Sequence, residues 1–200
     1  MGRKSLNKKR RPVNKKVHVW LGELLLNIQN KDLEKLTIDD LAKLAGKSKS
    51  TIYEYFESKE EILLAACKTR TTTLSETILN TLQQEIGVIK LYERLVEIFA
   101  EGTSGISISF LQGIKKSYPD VWSIIENFTD NFVEILKEQY KLGIKEEIFN
   151  DISVDLMSHL DKIFVLQVVT NPSLFNDKEY TISKLIIDYL NLRLTGLLKK

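Results

Sequence analysis

The sequence predicts an all-α protein with an N-terminal three-helix head, built around a helix-turn-helix, and a C-terminal helical body. Three observations predict it. Apolar residues recur at steps of three and four along nearly every segment after residue 14, the period of a helix face. Helix-start signals recur, among them Thr37-Ile38-Asp39-Asp40 and Ser58-Lys59-Glu60-Glu61, both with the spacing of a capping box. No strand-like alternation, internal repeat or glycine-rich phosphate loop interrupts them.

The elements follow in order. Residues 1–13 form a basic arm, 14–60 the head and 61–200 the body. A first helix spans about 14–29, with Val17, Leu21, Leu24, Leu25 and Ile28 facing inward, and Asn30-Lys31-Asp32 breaks it. Thr37 opens a second, short helix with Leu41, Leu44 and Ala45 on its apolar face. Gly46 closes that helix, because a tight turn asks for the left-handed conformation that glycine adopts freely. Ser48 caps a third helix. Lys49, Ser50, Thr51, Tyr53 and Tyr55 lie on its polar side, away from Ile52 and Phe56. A long helix from Ser58 to about Leu82 links head to body.

Leu91, Leu95, Ile98 and Phe99 mark the next helix, and Glu101–Gly105 is a break. Residues 106–117 continue as helix until Tyr118-Pro119, since the residue before proline leaves the α region; Pro119 then suits the first turn of its own helix. That helix carries the stripe Val121, Ile125, Phe128, Phe132 and Leu136 and ends at Leu142-Gly143. Two helices finish the chain, 154–170 and 181–198. The last is apolar around so much of its girth that it must bury two faces; a partner subunit is the economical cover for the second, and the alternative is a deeply buried core helix in a monomer.

Two short helices joined by a glycine turn form a helix-turn-helix, whose second helix is shaped to enter a DNA major groove. Thr37, Leu41-Ala42, Ala45-Gly46, Ser48, Thr51-Ile52-Tyr53, Tyr55-Phe56 and Ser58-Lys59-Glu60-Glu61-Ile62-Leu63 resemble the head of the tetracycline-repressor (TetR) family of bacterial regulators. The resemblance runs ungapped across three helix boundaries and covers roughly a quarter of the chain. It departs at Lys47, where the family usually has a small hydrophobe.

The resemblance implies a homodimeric regulator of transcription, a repressor that leaves a palindromic double-stranded DNA operator when a small-molecule effector binds. It places Lys49, Ser50, Thr51 and Tyr53 where bases or flanking phosphates are met, beside Lys47 and Ser48, and Tyr55 on the DNA backbone. Thr37 and Lys59, at helix starts, are expected to hold phosphates. Lys49 alone supplies a charged donor to guanine from the middle of the reading surface. The family's dimers join through a four-helix bundle of the last two long helices, which assigns Leu160, Phe164, Ile186, Leu190 and Leu197 to the subunit interface. Its effector cavities lie in the body, which nominates Phe99, Phe110, Trp122 and Phe128. An alternative keeps the DNA head but makes the body a docking module for a protein partner.

Charge supports the DNA reading. Residues 1–60 hold 14 Lys/Arg against 8 Asp/Glu, a net +6 within a chain of net +2, so the rest carries −4. Arg3, Lys4, Lys8, Lys9, Arg10, Arg11, Lys15 and Lys16 stand in the first sixteen residues with no acid among them. No apolar run is long enough for a membrane span and no signal core follows the basic start, so a cytoplasmic protein is expected. The single cysteine, Cys67, reads as a small buried apolar residue. His18 reads as a surface or capping residue and His159 as a hydrogen-bonded core residue, neither with metal-ligand spacing. No nucleophile elbow or Cys/His pair is present, so neither an enzyme, a metal nor a cofactor is expected.

Overall fold

The computed structural model describes residues 10–171 and 181–199, leaving aside the side chains of 168–170. Phe175, Tyr180 and the arm bases Arg3, Lys4, Lys8 and Lys9 lie outside the described residues, as do the side chains of Val168 and Val169. Among the described residues there are nine helices and no strand. They are α1 (Lys15–Asn27), α2 (Ile38–Leu44), α3 (Lys49–Tyr55), α4 (Lys59–Leu82), α5 (Val88–Thr103), α6 (Ile108–Ser117), α7 (Pro119–Lys145), α8 (Val154–Thr170) and α9 (Ile182–Leu197).

The caps explain where the head helices begin. Asn14 accepts from the backbone of Lys16 and Val17 at the start of α1. Thr37 and Asp40 form the full reciprocal box at α2. Ser58 caps α4 by accepting from Glu61 N at 3.1 Å. The reciprocal half expected there is replaced: the Glu61 carboxylate reaches one residue further back and accepts from Glu57 N at 2.6 Å. The head core is Trp20, Leu21, Leu24, Leu41, Ile52 and Phe56, all buried, with Trp20 edge-on to Phe56 at 5.9 Å.

In the body α4 packs against α5 and α7, α5 against α9, and α7 against α8. Two expected breaks come later than the glycines suggest. Helix α5 runs through Gly102, because a Cβ there would lie 2.6 Å from Leu74 Cδ1 and glycine is what lets α4 approach. The turn falls at Gly105, whose φ of +74° is the left-handed one. Helix α7 likewise runs through Gly143, where the ring of Phe149 occupies the space of a Cβ. The chain end then closes on that corner, with Asn150 N donating to Leu197 O at 2.8 Å and Lys199 N to Ile148 O at 2.9 Å.

A polar cluster crosses the apolar body. Asp161 on α8 is 0% exposed. It accepts from Tyr140 Oη at 2.5 Å, Tyr189 Oη at 2.8 Å and Arg193 Nε at 3.1 Å. Arg193 Nη2 also donates to Met157 O at 3.2 Å, and Tyr92 Oη donates to Leu190 O at 3.1 Å. Burial, more than the nearby carboxylate, pushes the Tyr140 and Tyr189 phenols well above their ordinary range, so both stay protonated donors. The cluster joins α5, α7, α8 and α9 through directional bonds that an apolar core lacks. His159, two residues away, is exposed rather than in the core, because Asp161 and Ser158 occupy the buried side of α8 at that level. Removing the carboxylate alone would strand Arg193 and two phenols. Asp161→Ala should therefore lose about 3–5 kcal/mol in a denaturant titration. A loss under about 1 kcal/mol would mean water satisfies the cluster.

Candidate nucleic-acid interface and internal cavity

The turn between α2 and α3 is held by two backbone bonds from its C-terminal side. Lys47 N donates to Ala42 O at 2.9 Å and Gly46 N to Lys43 O at 3.0 Å, the Schellman pattern, with Gly46 at φ +63°. The Lys47 side chain is exposed, so it fits the turn without entering the core. Ser48 accepts from Thr51 N at 3.1 Å, and its hydroxyl lies 2.9 Å from Ser50 Oγ and 2.8 Å from Thr51 Oγ1. These bonds fix a small polar edge at the start of α3. Ser50 is exposed, whereas Thr51, Tyr53 and Tyr55 are half-buried, with Tyr55 against Phe56 at 6.2 Å between ring centres. Thr37 is exposed, and its hydroxyl donates to Asp40 Oδ2 at 2.6 Å.

Two lysines nominated from the sequence differ from each other. Lys49 Nζ is exposed and pairs with Asp39 Oδ1 at 2.7 Å; that bond raises its pKa. Lys59 is turned inward. Its ammonium donates to Leu33 O at 2.7 Å and Glu34 O at 3.2 Å and lies 5.7 Å from the Tyr118 ring centre. Those carbonyls belong to the loop between α1 and α2 and have no helical partner, so the lysine satisfies them. The expectation that Lys59 stands ready for phosphate gives way to a structural bond.

The described end of the arm is anchored to α3. Arg11 N donates to Glu54 O at 2.9 Å, and its guanidinium pairs with the Glu54 carboxylate at 2.9 Å. Arg10 pairs with Glu57 at 3.1 Å and also donates to the Tyr53 carbonyl. Asp39, Glu54 and Glu57 were not nominated from the sequence. Asp39 reads there as a first-turn acid, and its partner is ten residues away.

The body encloses a cavity between α4, α5, α6 and α7, closed by Val165 of α8 and Ile182 and Ile186 of α9. Phe99, Phe110 and Phe128 line it, with Leu74, Leu111 and Ile125. Phe99 stacks on Phe132 at 4.1 Å and on Phe128 at 5.8 Å, which holds that wall flat. Trp122 is not in the wall. It is buried elsewhere with Lys115 Nζ 5.2 Å from its ring centre, because the α7 stripe that faces the cavity runs through Ile125, Phe128 and Thr129. Cys67 lines the cavity, and burial pushes its thiol up to about 12, which makes it inert. The volume is about 90 Å3, less than the ~150 Å3 that accommodates benzene in an apolar core.

The cavity helices also hold the head. Gln29, at the end of the α1 segment, accepts from Ser107 N at 2.8 Å, while Ser107 Oγ donates to Gln29 O at 2.5 Å and caps α6. Glu34 accepts from Lys116 at 2.9 Å and from Ser117 Oγ at 2.9 Å. Tyr118 Oη donates to Leu33 O at 3.3 Å. So α6, which presents Phe110 and Leu111 to the cavity, also grips the loop between α1 and α2.

Residues 28–66 match the family described as bacterial regulatory proteins, tetR family. That match spans α2, α3 and the start of α4. A Bacillus subtilis (strain 168) protein named as the uncharacterized HTH-type transcriptional regulator YvaF is 22% identical over 125 residues, which span 62% of this chain and 66% of that protein. The TetR-family regulator PfmR from Thermus thermophilus superposes with a TM-score of 0.65 at 24% identity, over 90% of this chain and 99% of that one. The regulator FadR from Bacillus subtilis, solved in complex with stearoyl-CoA, gives 0.67 at 20% identity, over 90% and 99%. A transcriptional regulator from Saccharomonospora viridis, solved with choline, gives 0.70 at 16% identity, over 94% and 100%. These neighbours are transcriptional regulators, and this chain shares their all-α fold, with α2–α3 as its helix-turn-helix.

The five residues assigned to a subunit interface separate into two groups. Ile186, Leu190 and Leu197 are buried in the protomer's own core, where α9 packs against α5, and a side chain already enclosed has no surface left for a partner. Phe164 is half-buried, stacked on Tyr189 at 3.6 Å. Leu160 is exposed. Among the described residues no helix is long and apolar enough to cross a membrane, and no three His, Cys, Asp or Glu gather as metal ligands.

Proposed function

We propose that this protein is a homodimeric repressor that binds a palindromic operator through α3 and leaves it when a small apolar effector enters the cavity. The observation that carries this reading is that α4 and α6 each do two jobs: both line the cavity, and both are bonded to the head. A cavity of about 90 Å3 takes a larger ligand only if its walls part. Parting them moves α6, and with it the loop carrying Leu33 and Glu34. The ligand then favours the state with displaced heads, by no more than its difference in affinity for the two states. The FadR neighbour with stearoyl-CoA and the neighbour with choline support a ligand-holding body of this shape. An internal cavity favours this reading over a body that docks a protein partner.

On DNA, Lys49, Ser50, Thr51 and Tyr53 face bases and nearby phosphates; Lys47, Ser48, Thr37 and Tyr55 hold the backbone. Lys49 exchanges Asp39 for its DNA acceptor, so part of its binding energy is offset by the lost pair. Lys49→Ala should lower the ratio of operator to scrambled-duplex affinity by about tenfold. Titrations of both duplexes at one salt concentration measure it, with the operator found by mapping genomic binding sites. An unchanged ratio would assign specificity to Ser50, Thr51 and Tyr53 or to DNA shape.

The arm continues from α3, because Arg10 and Arg11 are tied to Glu57 and Glu54. Their charge is already paired, so the arm's contribution to phosphate binding falls to its other bases, Arg3, Lys4, Lys8 and Lys9. Deleting residues 1–9 should weaken DNA binding and flatten the plot of log K against log salt by up to about 3.6 units, at ~0.9 per phosphate released. A slope equal to wild type would make the arm a solvated tail.

The dimer seam is the exposed stripe Leu156, Leu160 and Ile163 on α8, at 57, 40 and 43% exposure, joined by Leu192 on α9 at 72%. Spacings of four and three put the α8 residues on one face. Leu160→Glu should keep its circular dichroism and sediment as a monomer. Leu190→Glu, at a position 0% exposed, should instead fail to fold, since its charge has no partner. A folded, dimeric Leu160→Glu protein would place the seam elsewhere.

A further inference from the structure

Arg70 stands in the cavity wall on α4. Its guanidinium serves the end of α5: Nε donates to Gly102 O at 3.1 Å, and Nη2 donates to Glu101 O at 3.2 Å and Ser104 O at 3.1 Å. Gly102 O and Ser104 O lie at the helix end, where carbonyls lack helical partners, and Glu101 O is shared with Ser104 N at 3.1 Å. Nη1 has no acceptor among the described residues, and Arg70 forms none of the ion pairs there. Desolvation is what acts on its charge, and it pulls the guanidinium pKa down; no carboxylate opposes it. The α5 terminus supplies only the partial negative charge of a helix end, about half an elementary charge. The cation is thus half-buried beside an apolar space with donor capacity unused. A second polar group shares the wall: Thr129 on α7 is buried, and its hydroxyl has no hydrogen-bond partner among the described residues. The rest of the wall is largely aromatic and aliphatic, led by Phe99, Phe110 and Phe128.

We propose that the cavity takes a small apolar molecule bearing one carboxylate, with the carboxylate paired to Arg70 and the hydrocarbon against Phe99, Phe110 and Phe128. This rests on the effector reading above and names its chemical class. A full negative charge completes the pairing that the α5 carbonyls leave partial, and a guanidinium binds a carboxylate better than it binds neutral oxygens. The same ion pair draws on the clamp between α4 and α5, so ligand binding and the position of α4 become linked.

The test compares hexanoate with hexanamide, which match in shape and differ in charge, by calorimetry on the full chain. Wild type should bind hexanoate at least about tenfold more tightly. Arg70→Met should bring that ratio near one, and Arg70→Lys should keep part of it. Equal affinity of wild type for both probes, or a preference for the amide, overturns the carboxylate assignment and leaves the effector cavity standing. A hexanoate preference that survives in folded Arg70→Met overturns the role of Arg70. Binding of neither probe at millimolar concentration overturns this proposal and removes the support for a ligand-holding cavity as well. The wild-type comparison decides the carboxylate question even if Arg70→Met does not fold.

Discussion

The position of the DNA-reading head depends on how the loop between α1 and α2 is held. Its carbonyls at Leu33 and Glu34 lie outside any helix and need partners from outside the loop. Lys59 supplies them from α4, Tyr118 adds a donor from the start of α7, and Lys116 and Ser117 hold the Glu34 carboxylate from α6. Gln29 and Ser107 complete the joint through a reciprocal pair of bonds. The head is therefore fastened at two places, along α4 and at the ends of α6, rather than hung from one long helix. A displacement of either helix must be transmitted, because a loop bonded at several points cannot follow one anchor and stay with the other.

The body combines a well-specified region with a soft one. Around Asp161, directional bonds from Tyr140, Tyr189 and Arg193 lock α7, α8 and α9 together. Around Phe99 the contacts are apolar and leave a gap. Apolar contacts tolerate sliding at little cost, whereas a buried polar network does not. The stiff part carries the exposed α8 stripe, and the soft part lies against the helices that hold the head. Under the proposed function, that division would keep a subunit seam fixed while the heads change spacing.

Electrostatics on the DNA side are more self-contained than the net charge suggests. Lys49 is paired with Asp39, Arg10 with Glu57 and Arg11 with Glu54. The free protein keeps this surface ordered with its own carboxylates, which, under the proposed function, phosphates or bases would replace. Exposed pairs of this kind are weak, so the exchange is easy, and its cost falls mainly on discrimination between close competitors.

Local signals determined most of the fold. Thr37, Ser48, Ser58 and Pro119 start helices where short-range chemistry says they should, and Gly46 ends one, because caps and turns involve residues within four of each other. The helix-turn-helix was legible for the same reason, whereas Phe99, Phe110 and Phe128 were nominated through the family resemblance, along with Trp122, which the packing of α7 places outside the cavity wall. Long-range geometry decided the rest. Gly102 and Gly143 sit inside helices because Leu74 and Phe149 need their space. Lys59 faces carbonyls and not solvent because a loop 26 residues earlier folds under it. Which apolar side of α9 lies inward, and so the burial of Leu190, depends on α5 packing against it, while the exposure of Leu160 depends on how α8 packs against α7. A sequence period reveals that a helix has an apolar face; only the packed neighbours determine what that face meets.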